Sequence, residues 1–572
     1  MAAATGVQAA GEAPSLRQGS VSRVEIRDDH GRRKTVALEE LNEADQALAG
    51  KFGYQPVFQR EFGYFSTFSF AMSISGLFST VTTTFVYPLY AGGAASVVWC
   101  WLISGAGCMC IALSVAELVS AYPTSGGLYY TISRMAPAPW VPSISWITAW
   151  LNLLGQVAGV ASAEYGAAQM LLAAVSIGQD FQWLPTTGAT IGVMAGLTVV
   201  CGLVNTLPTY WMEKITKSYV VFHLAVLIAC CIALLVKTEN KHDAKYVFTH
   251  VDDPAPSGWK PIGWSFLFGF LSVSWTMTDY DATAHITEEI KQPELKAPWA
   301  ISIAMACTYV LGFLFNIVLV FCMGDPTELL SSPIEQPVAQ LYYNSLGKAG
   351  AIFFTVSAFI IIEFSCFAAT QSLARSVFAF SRDRLLPLPH IWTRINETTR
   401  TPLFAVWIST LACIAINLIG LGSYAAIAGV FSICAIALDW SYCIPIVCKL
   451  LFHSFTPGPW HLGKFSTLVN LWACAWTLFV SIIFLLPTYM PVTAADMNYA
   501  VVFLVFILLC AAVSWYLGGR KYYVGPVVET EIQGFSLGPE GRVSGDTSAV
   551  GELESSEVKN KADVQSVYNT RT

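Results

Sequence analysis

From Ser66 to Leu517 apolar runs of roughly 20 residues follow one another with short polar interruptions, and each, as a helix, can cross about 30 Å of hydrocarbon. One or two such runs would be anchors, but a dozen must pack into a bundle. Charged residues make up only 12% of the 572 residues and hydrophobic ones 55%, whereas a soluble domain is about a quarter charged. Glycine and aromatic residues lie inside the runs, where small residues allow close helix approach and Trp or Tyr mark interfaces. The expectation is an all-α membrane protein rather than a porin-like barrel.

Composition also excludes several function classes. The net charge of -7 and the lack of a long basic stretch give no footing for nucleic acid. The 15 cysteines sit mostly in apolar runs, as at Cys108, Cys110, Cys230 and Cys231, without C-x-x-C spacing. They are expected to be small core residues, not metal ligands or a disulfide framework. No catalytic nucleophile, metal set, cofactor or soluble enzyme domain is expected. The first 60 residues lack the apolar core of a secretory signal, so insertion relies on the first transmembrane helix.

The runs place spans at 66–88, 96–119, 143–174, 188–208, 216–236, 261–285, 298–323, 349–380, 402–421, 424–451, 466–487 and 497–517. The third and eighth exceed the bilayer thickness and must tilt or project into water. This divides the chain into a partly disordered N-terminal tail (1–60), a transporter domain (61–518) and a disordered C-terminal tail (519–572) carrying Lys559 and Lys561. With both termini cytoplasmic, the inner loops collect Arg134, Lys214, Lys217, Lys291, Lys296, Arg382, Arg384, Arg394 and Arg400. The outer loops then hold mainly Lys237, Lys241, Lys245, Lys260 and Lys348, the bias expected for that orientation. The sequon Asn396-Glu397-Thr398 then lies inside, where it would not be glycosylated.

Transporters place their sites where two helices in corresponding positions are interrupted near the midplane. Two spans, five helices apart, look interrupted. The first carries Ser73, Ile74, Ser75 and Gly76 followed by Ser79, Thr80, Thr82, Thr83 and Thr84; the sixth carries Ser272, Ser274, Trp275, Thr276, Thr278, Asp279, Tyr280 and Asp281. A half-helix starting near Gly76 would turn free N–H groups toward a substrate carboxylate, and carbonyls freed in the sixth span would accept from an ammonium. The plainer alternative is that Gly76 allows tight packing and the hydroxyls bond back to their own turns.

Carboxylates inside spans are sharper signals, because a charge at mid-helix costs about 2.5–3.5 kcal/mol on insertion scales. Glu164, Asp279, Asp281 and Glu363 qualify. Asp279 and Asp281 share no helix face, so only a break brings both to one cavity, with Asp281 favoured beside the substrate amine. Glu164 is assigned to the substrate site, although a neutral carboxyl is the plain alternative for it and for Glu363. His223, about two turns into the fifth span, and Glu363 are the proton-coupling candidates; a lone membrane histidine is otherwise a packing group. Glu117, before Tyr122-Pro123, is expected in a gating or structural ion pair. Asp439 is expected to face cytoplasmic water, and His285, beside Glu288 and Glu289, the cytoplasmic surface.

Three pieces carry a family resemblance between Phe58 and Gly525: Ala116-Glu117 with the stretch from Ala121-Tyr122-Pro123 to Leu128-Tyr129-Tyr130, then Tyr280-Asp281-Ala282-Thr283-Ala284-His285 with Glu288-Glu289, and Ala379-Phe380-Ser381-Arg382-Asp383 with Leu386-Pro387. The chain resembles the amino acid-polyamine-organocation (APC) superfamily, in particular the fungal amino acid and choline permeases that include GABA permeases. The resemblance implies a LeuT-like fold of two inverted five-helix repeats plus two trailing helices, with breaks in helices one and six and alternating access around helices one, three, six, eight and ten. It aligns His223 with a lysine that stands in for sodium in some bacterial relatives. The sequence departs from its relatives at Ser73 to Gly76 and at Glu363. The expected function is proton-coupled uptake of GABA or a related amino acid across a plasma or vacuolar membrane, the partners being substrate, coupling proton and lipid. A choline or polyamine transporter and an amino acid sensor signalling through its tails are the alternatives.

Overall fold

The computed structural model describes residues 23–27, 33–37, 41–422, 424–493 and 497–526. The expected disordered tail, with Lys559 and Lys561, lies outside the described residues. Twelve helical segments follow the apolar runs. Helix α1 comprises Tyr64–Ser75, Leu77–Thr84 and Val86–Gly92, followed by α2 (Ala94–Ala121), α3 (Val141–Gly178), α4 (Thr187–Val204) and α5 (Thr209–Lys237). Helix α6 comprises Ile262–Phe268, Phe270–Thr276 and Ala282–His285, followed by α7 (Pro293–Cys322), α8 (Pro337–Arg382), α9 (Leu403–Asn417), α10 (Tyr424–Phe452), α11 (Ser466–Leu485) and α12 (Ala500–Ser514). Among the described residues ten helices are long and apolar enough to cross a membrane; α1, bent by 47°, makes an eleventh, and Ile262–Thr276 is a shorter apolar helix.

The two over-long spans resolve differently. Helix α3 runs unbroken for 38 residues. In α8, Gly347 at φ 71° interrupts the 46-residue stretch, so its N-terminal turns form a separate arm and the span proper starts near the expected residue 349. A side chain would be strained in that left-handed backbone.

Helix α3 packs on α8 and α10, α2 packs on α7, and α1 lies against α5, α7 and α8. Both interrupted helices therefore sit inside the bundle, where water cannot satisfy a broken backbone. Helix α12 lies at the periphery, with Val502, Phe506 and Leu509 exposed. Before α1 come a two-stranded antiparallel hairpin, β1 (Arg23–Arg27) and β2 (Arg33–Ala37), and a short helix at Glu43–Ala47. The chain then runs across one end of the bundle with Tyr54, Phe58 and Phe62 buried. This end is called the N-terminal side below.

Candidate functional site

The first break is a backbone feature. Gly76 takes φ +46°, and a Cβ built there would lie 2.4 Å from the Ser365 hydroxyl oxygen of α8, so only glycine fits both the angle and the space. Beyond it, the Ser79 and Thr80 amides donate to the Gly76 carbonyl at 2.9 and 3.0 Å, and the Phe78 amide donates to Nε2 of His223 at 3.1 Å. His223 thus faces the α1 break from α5, fully buried, with Nδ1 unpartnered.

The hydroxyls expected to line this break turn inward to their own helix. Ser73 donates to the Phe70 carbonyl at 2.7 Å, and Ser75 donates to the Met72 carbonyl at 3.0 Å while pairing with Thr308 at 2.9 Å. Thr80, Thr82, Thr83 and Thr84 also bond back to preceding carbonyls. A buried hydroxyl in a helix has no nearer acceptor than the carbonyl three or four residues back. Ser73 and Ser75, expected as substrate ligands, thus spend their hydroxyl protons on their own helix, and Ile74 is a half-buried apolar neighbour.

The second break has the opposite character. Helix α6 stops at Thr276, Asp279 takes φ +58°, and the helix resumes at Ala282. Three consecutive residues in this gap, Thr278, Asp279 and Tyr280, each keep a buried polar atom without a partner: Oγ1, Oδ1 and the hydroxyl. Trp275 above the gap donates from Nε1 to the Ser162 hydroxyl of α3 at 3.0 Å and packs against Phe431 of α10, the rings 4.9 Å apart and tilted by 40°. Thr276 is spent on the Ser272 carbonyl at 2.8 Å.

Asp281 is held by its own protein. Its Oδ2 accepts from Nδ2 of Asn152 at 2.6 Å and from Nε2 of His285 at 3.0 Å, and its Oδ1 accepts from the Tyr442 hydroxyl at 2.6 Å. Asp281, the carboxylate favoured for the substrate amine, thus has three protein partners, whereas Asp279 keeps Oδ1 unpaired. His285 is also not at the surface; it is 1% exposed, its Nδ1 faces the Ser125 carbonyl at 2.9 Å, and its Nε2 also lies 3.1 Å from the Gln156 amide nitrogen. Gly127, at φ +61°, leaves room for this ring, since a Cβ there would lie 2.7 Å from Cε1 of His285.

Two other carboxylates lie elsewhere than expected. Glu164 does not reach the breaks. Ser162 and Gly166 carry the α3 face that meets Trp275 and Thr83, and Glu164 points away from it, among the thiols of Cys201 and Cys366 and the carboxyl of Glu363. Helical phase decides this, because two residues turn a side chain by about 200°. Glu363 accordingly stands with Glu164. Asp439 is 2% exposed and so does not face water.

Below the α6 break the N-terminal side is closed by ion pairs. Glu289 accepts from Nε of Arg375 at 2.7 Å and from Gln371 at 3.1 Å. Glu288 accepts from the Ser125 amide at 3.1 Å and from Arg382 at 3.2 Å; burial pushes its carboxyl up, but Arg382 and Ser125 outweigh that and hold it below the usual carboxylate range. Arg60 donates to the carbonyls of Thr287 and Ile290 at 2.9 and 2.7 Å. Tyr54 and Tyr129 both donate to Asp383. Glu117 pairs with Lys449 at 2.5 Å and accepts from Ser466 at 2.8 Å.

Sequence reasoning missed the polar set around Asp281, namely Asn152, Gln156, Ser441 and Tyr442. Asn152 and Gln156, four apart within an otherwise apolar span and joined at 2.6 Å, were the available signal. Residues 62–508 match the family described as "Amino acid permease". An uncharacterized amino-acid permease of Schizosaccharomyces pombe is 57% identical over 87% of this chain and 92% of its own length. Amino-acid permease 2 of Neurospora crassa is 50% identical over 87% and 91%. The GABA-specific permease of Saccharomyces cerevisiae is 31% identical over 84% and 86%.

Proposed function

Because the chain belongs to the amino acid permease family and is a multi-pass membrane transporter rather than an enzyme, we propose that it carries an amine-bearing amino acid, GABA being the first to test, by proton-coupled alternating access around the breaks in α1 and α6. The observation that carries this reading is the run Thr278-Asp279-Tyr280, with three buried polar atoms unpaired in one helix gap. Such atoms are costly to bury alone, and a bound ammonium would pair with the Asp279 carboxylate and the hydroxyl oxygens. The glycine-made break in α1 starts a new half-helix at Leu77, whose positive dipole end would favour the substrate carboxylate. The relative named a GABA-specific permease supports the choice of substrate.

The coupling proton is assigned to His223 ahead of Glu363. Nε2 accepts the Phe78 N–H, so a proton arriving on that nitrogen would set two donors against each other at the α1 break. Protonation at α5 would thereby loosen the helix that holds the substrate. Glu363 faces Glu164 instead and has no such lever. The N-terminal side, with its arginine-rich lock, is taken to face the cytoplasm.

Uptake of labelled GABA by cells expressing the full chain tests the reading. Accumulation should collapse with a protonophore, and Asp279→Asn should abolish uptake. His223→Asn, which cannot carry the proton, should leave equilibration without accumulation. Accumulation indifferent to the protonophore would refute the coupling, and normal transport by Asp279→Asn would refute the site.

A further inference from the structure

The imidazole of His285 joins the α6 break to the closed end of the bundle, and its two nitrogens have different surroundings. Nδ1 lies 2.9 Å from the Ser125 carbonyl oxygen. A carbonyl only accepts, so Nδ1 carries a hydrogen. Nε2 lies 3.0 Å from Oδ2 of Asp281 and 3.1 Å from the Gln156 amide nitrogen. Neighbours fix the orientation of that amide: Asn152 donates from Nδ2 to Asp281 at 2.6 Å, which leaves Oδ1 of Asn152 facing Nε2 of Gln156, also at 2.6 Å. Gln156 therefore gives one hydrogen to Asn152, and for the other it has the Ser376 hydroxyl oxygen at 2.9 Å, nearer than the ring.

One more proton is required. With Nδ1–H committed to Ser125, a neutral ring would aim the Nε2 lone pair at a carboxylate oxygen 3.0 Å away, and the opposite tautomer would set a lone pair against the Ser125 carbonyl. Asp281 already accepts from Asn152 and Tyr442, so it stays charged and the proton sits on Nε2. Few other groups that can carry charge stand around the pair. Asp279 lies two residues back, Tyr442 of α10 donates to Oδ1, and Asp439 is buried three residues before Tyr442. Helix α3 brings the amides of Asn152 and Gln156, and α8 brings Ser376 and the Phe380 ring, its Arg375 and Arg382 being paired with Glu289 and Glu288. Helices α1 and α7 also pack on Ala282–His285; there Lys296 holds its amine 5.0 Å over the Tyr64 ring and Glu294 is partly exposed.

We propose that the Asp281–His285 pair is a proton-binding site, separate from His223, and that its proton latches the resumed half of α6 to Ser125 and so holds the N-terminal side closed. Ser125 is the joint: its carbonyl meets His285, while its amide donates to Glu288, which Arg382 holds from α8. The turn that carries Glu288 also presents the Glu289 carbonyl to the Phe62 amide and the Ile290 carbonyl to Arg60. When the proton leaves, His285 gives up either Asp281 or Ser125, since no neutral tautomer serves both, and the turn at Thr287–Glu289 loses its tie. Once opened to water, an imidazole is neutral above about pH 6.5. The closed chain then holds one proton more than the open one, so rising pH weakens closure by up to about tenfold per unit.

Hydrogen–deuterium exchange of the purified full chain between about pH 6 and 8, expressed as protection relative to free peptide, reads the latch at the Phe62 and Lys291 amides, with the amides of α9 as reference. In the wild type their protection should fall at least about tenfold over that range while α9 does not change. Asp281→Asn needs no such proton, because an asparagine amide donates to Nε2 of a neutral ring that still donates from Nδ1 to Ser125. Its protection should vary by less than about twofold. Wild-type protection that ignores pH would overturn the proposal, and so would an undiminished pH response in Asp281→Asn. Should that variant not fold, nitrogen-15 NMR of the histidine-labelled wild type takes its place, with the His285 ring assigned through its closeness to Phe380. Both ring nitrogens protonated at about pH 6 is the expected result, and a neutral ring there would overturn the proposal. Neither measurement uses a substrate, so a failure here leaves the transport reading standing.

Discussion

Replacing Arg375 by methionine should open the N-terminal side of the bundle. Arg375 is 1% exposed and Glu289 is fully buried, with Nε to Oε1 at 2.7 Å; the two terminal guanidinium nitrogens have no partner, and the guanidinium lies 5.4 Å from the Phe58 ring. Arg375→Met keeps much of the packing but leaves Glu289 with Gln371 alone. Stranding one member of a buried pair costs about 3–5 kcal/mol. That penalty exists only while the end is closed, because water entering between α6 and α8 would solvate the carboxylate. The closed-to-open ratio should therefore fall by roughly a hundred- to several-thousand-fold, at about 1.4 kcal/mol per factor of ten. Hydrogen–deuterium exchange of the purified chain reads this at two amides. Phe62 N–H donates to the Glu289 carbonyl at 3.0 Å and Lys291 N–H to the Phe62 carbonyl at 2.9 Å, so both are protected only when the end is closed. Their exchange should accelerate by about a hundredfold or more while the amides of α9 do not change. The double variant Arg375→Glu with Glu289→Arg should recover much of the protection. Unchanged exchange at Phe62 and Lys291, or equal acceleration throughout the bundle, would refute the idea that this pair is a lock rather than a general support.

Two further outcomes follow from the geometry. Gly76→Ala must hold a side chain at φ +46°, about 1–2 kcal/mol uphill, and meets the Ser365 hydroxyl oxygen at 2.4 Å; uptake should fall sharply, and adding Ser365→Gly should recover only the steric share. Glu288 is held below the usual carboxylate range by Arg382 and Ser125 against the effect of burial, so it stabilises the fold above its unfolded value of about 4.3. That contribution should be lost as pH falls through the lower folded value, and thermal unfolding in detergent should show a weaker acid dependence in Glu288→Gln than in the wild type.

Legibility in the sequence depended on whether a feature needed only one helix or several. The spans, including the start of the α8 span near 349, came from runs long enough to cross a membrane. Gly76 and Asp279 stood out because a glycine among hydroxyls, and two carboxylates two residues apart, do not suit a regular buried helix. The hydroxyls misled, since Ser73 and Ser75 look like ligands in a list of residues but each has a carbonyl one turn back. His285 and Asp439 look like surface groups from their distance along the chain, yet both are buried, and His285 is enclosed by Ser125, Gly127 and Phe380 from other elements.

By itself the sequence determined a membrane bundle with interruptions in its first and sixth helices, because hydrocarbon punishes unpaired backbone and unpaired charge so heavily that either one is conspicuous in an apolar run. Tertiary structure decided which carboxylates matter. Glu164 turned toward Glu363, Asp281 was taken by Asn152, Tyr442 and His285, and Asp279 kept an unpaired oxygen. The reason is rotational: about 100° per residue fixes the spacing of side chains around one helix, but which neighbour each meets depends on how that helix is turned in the bundle, and no span contains that information alone.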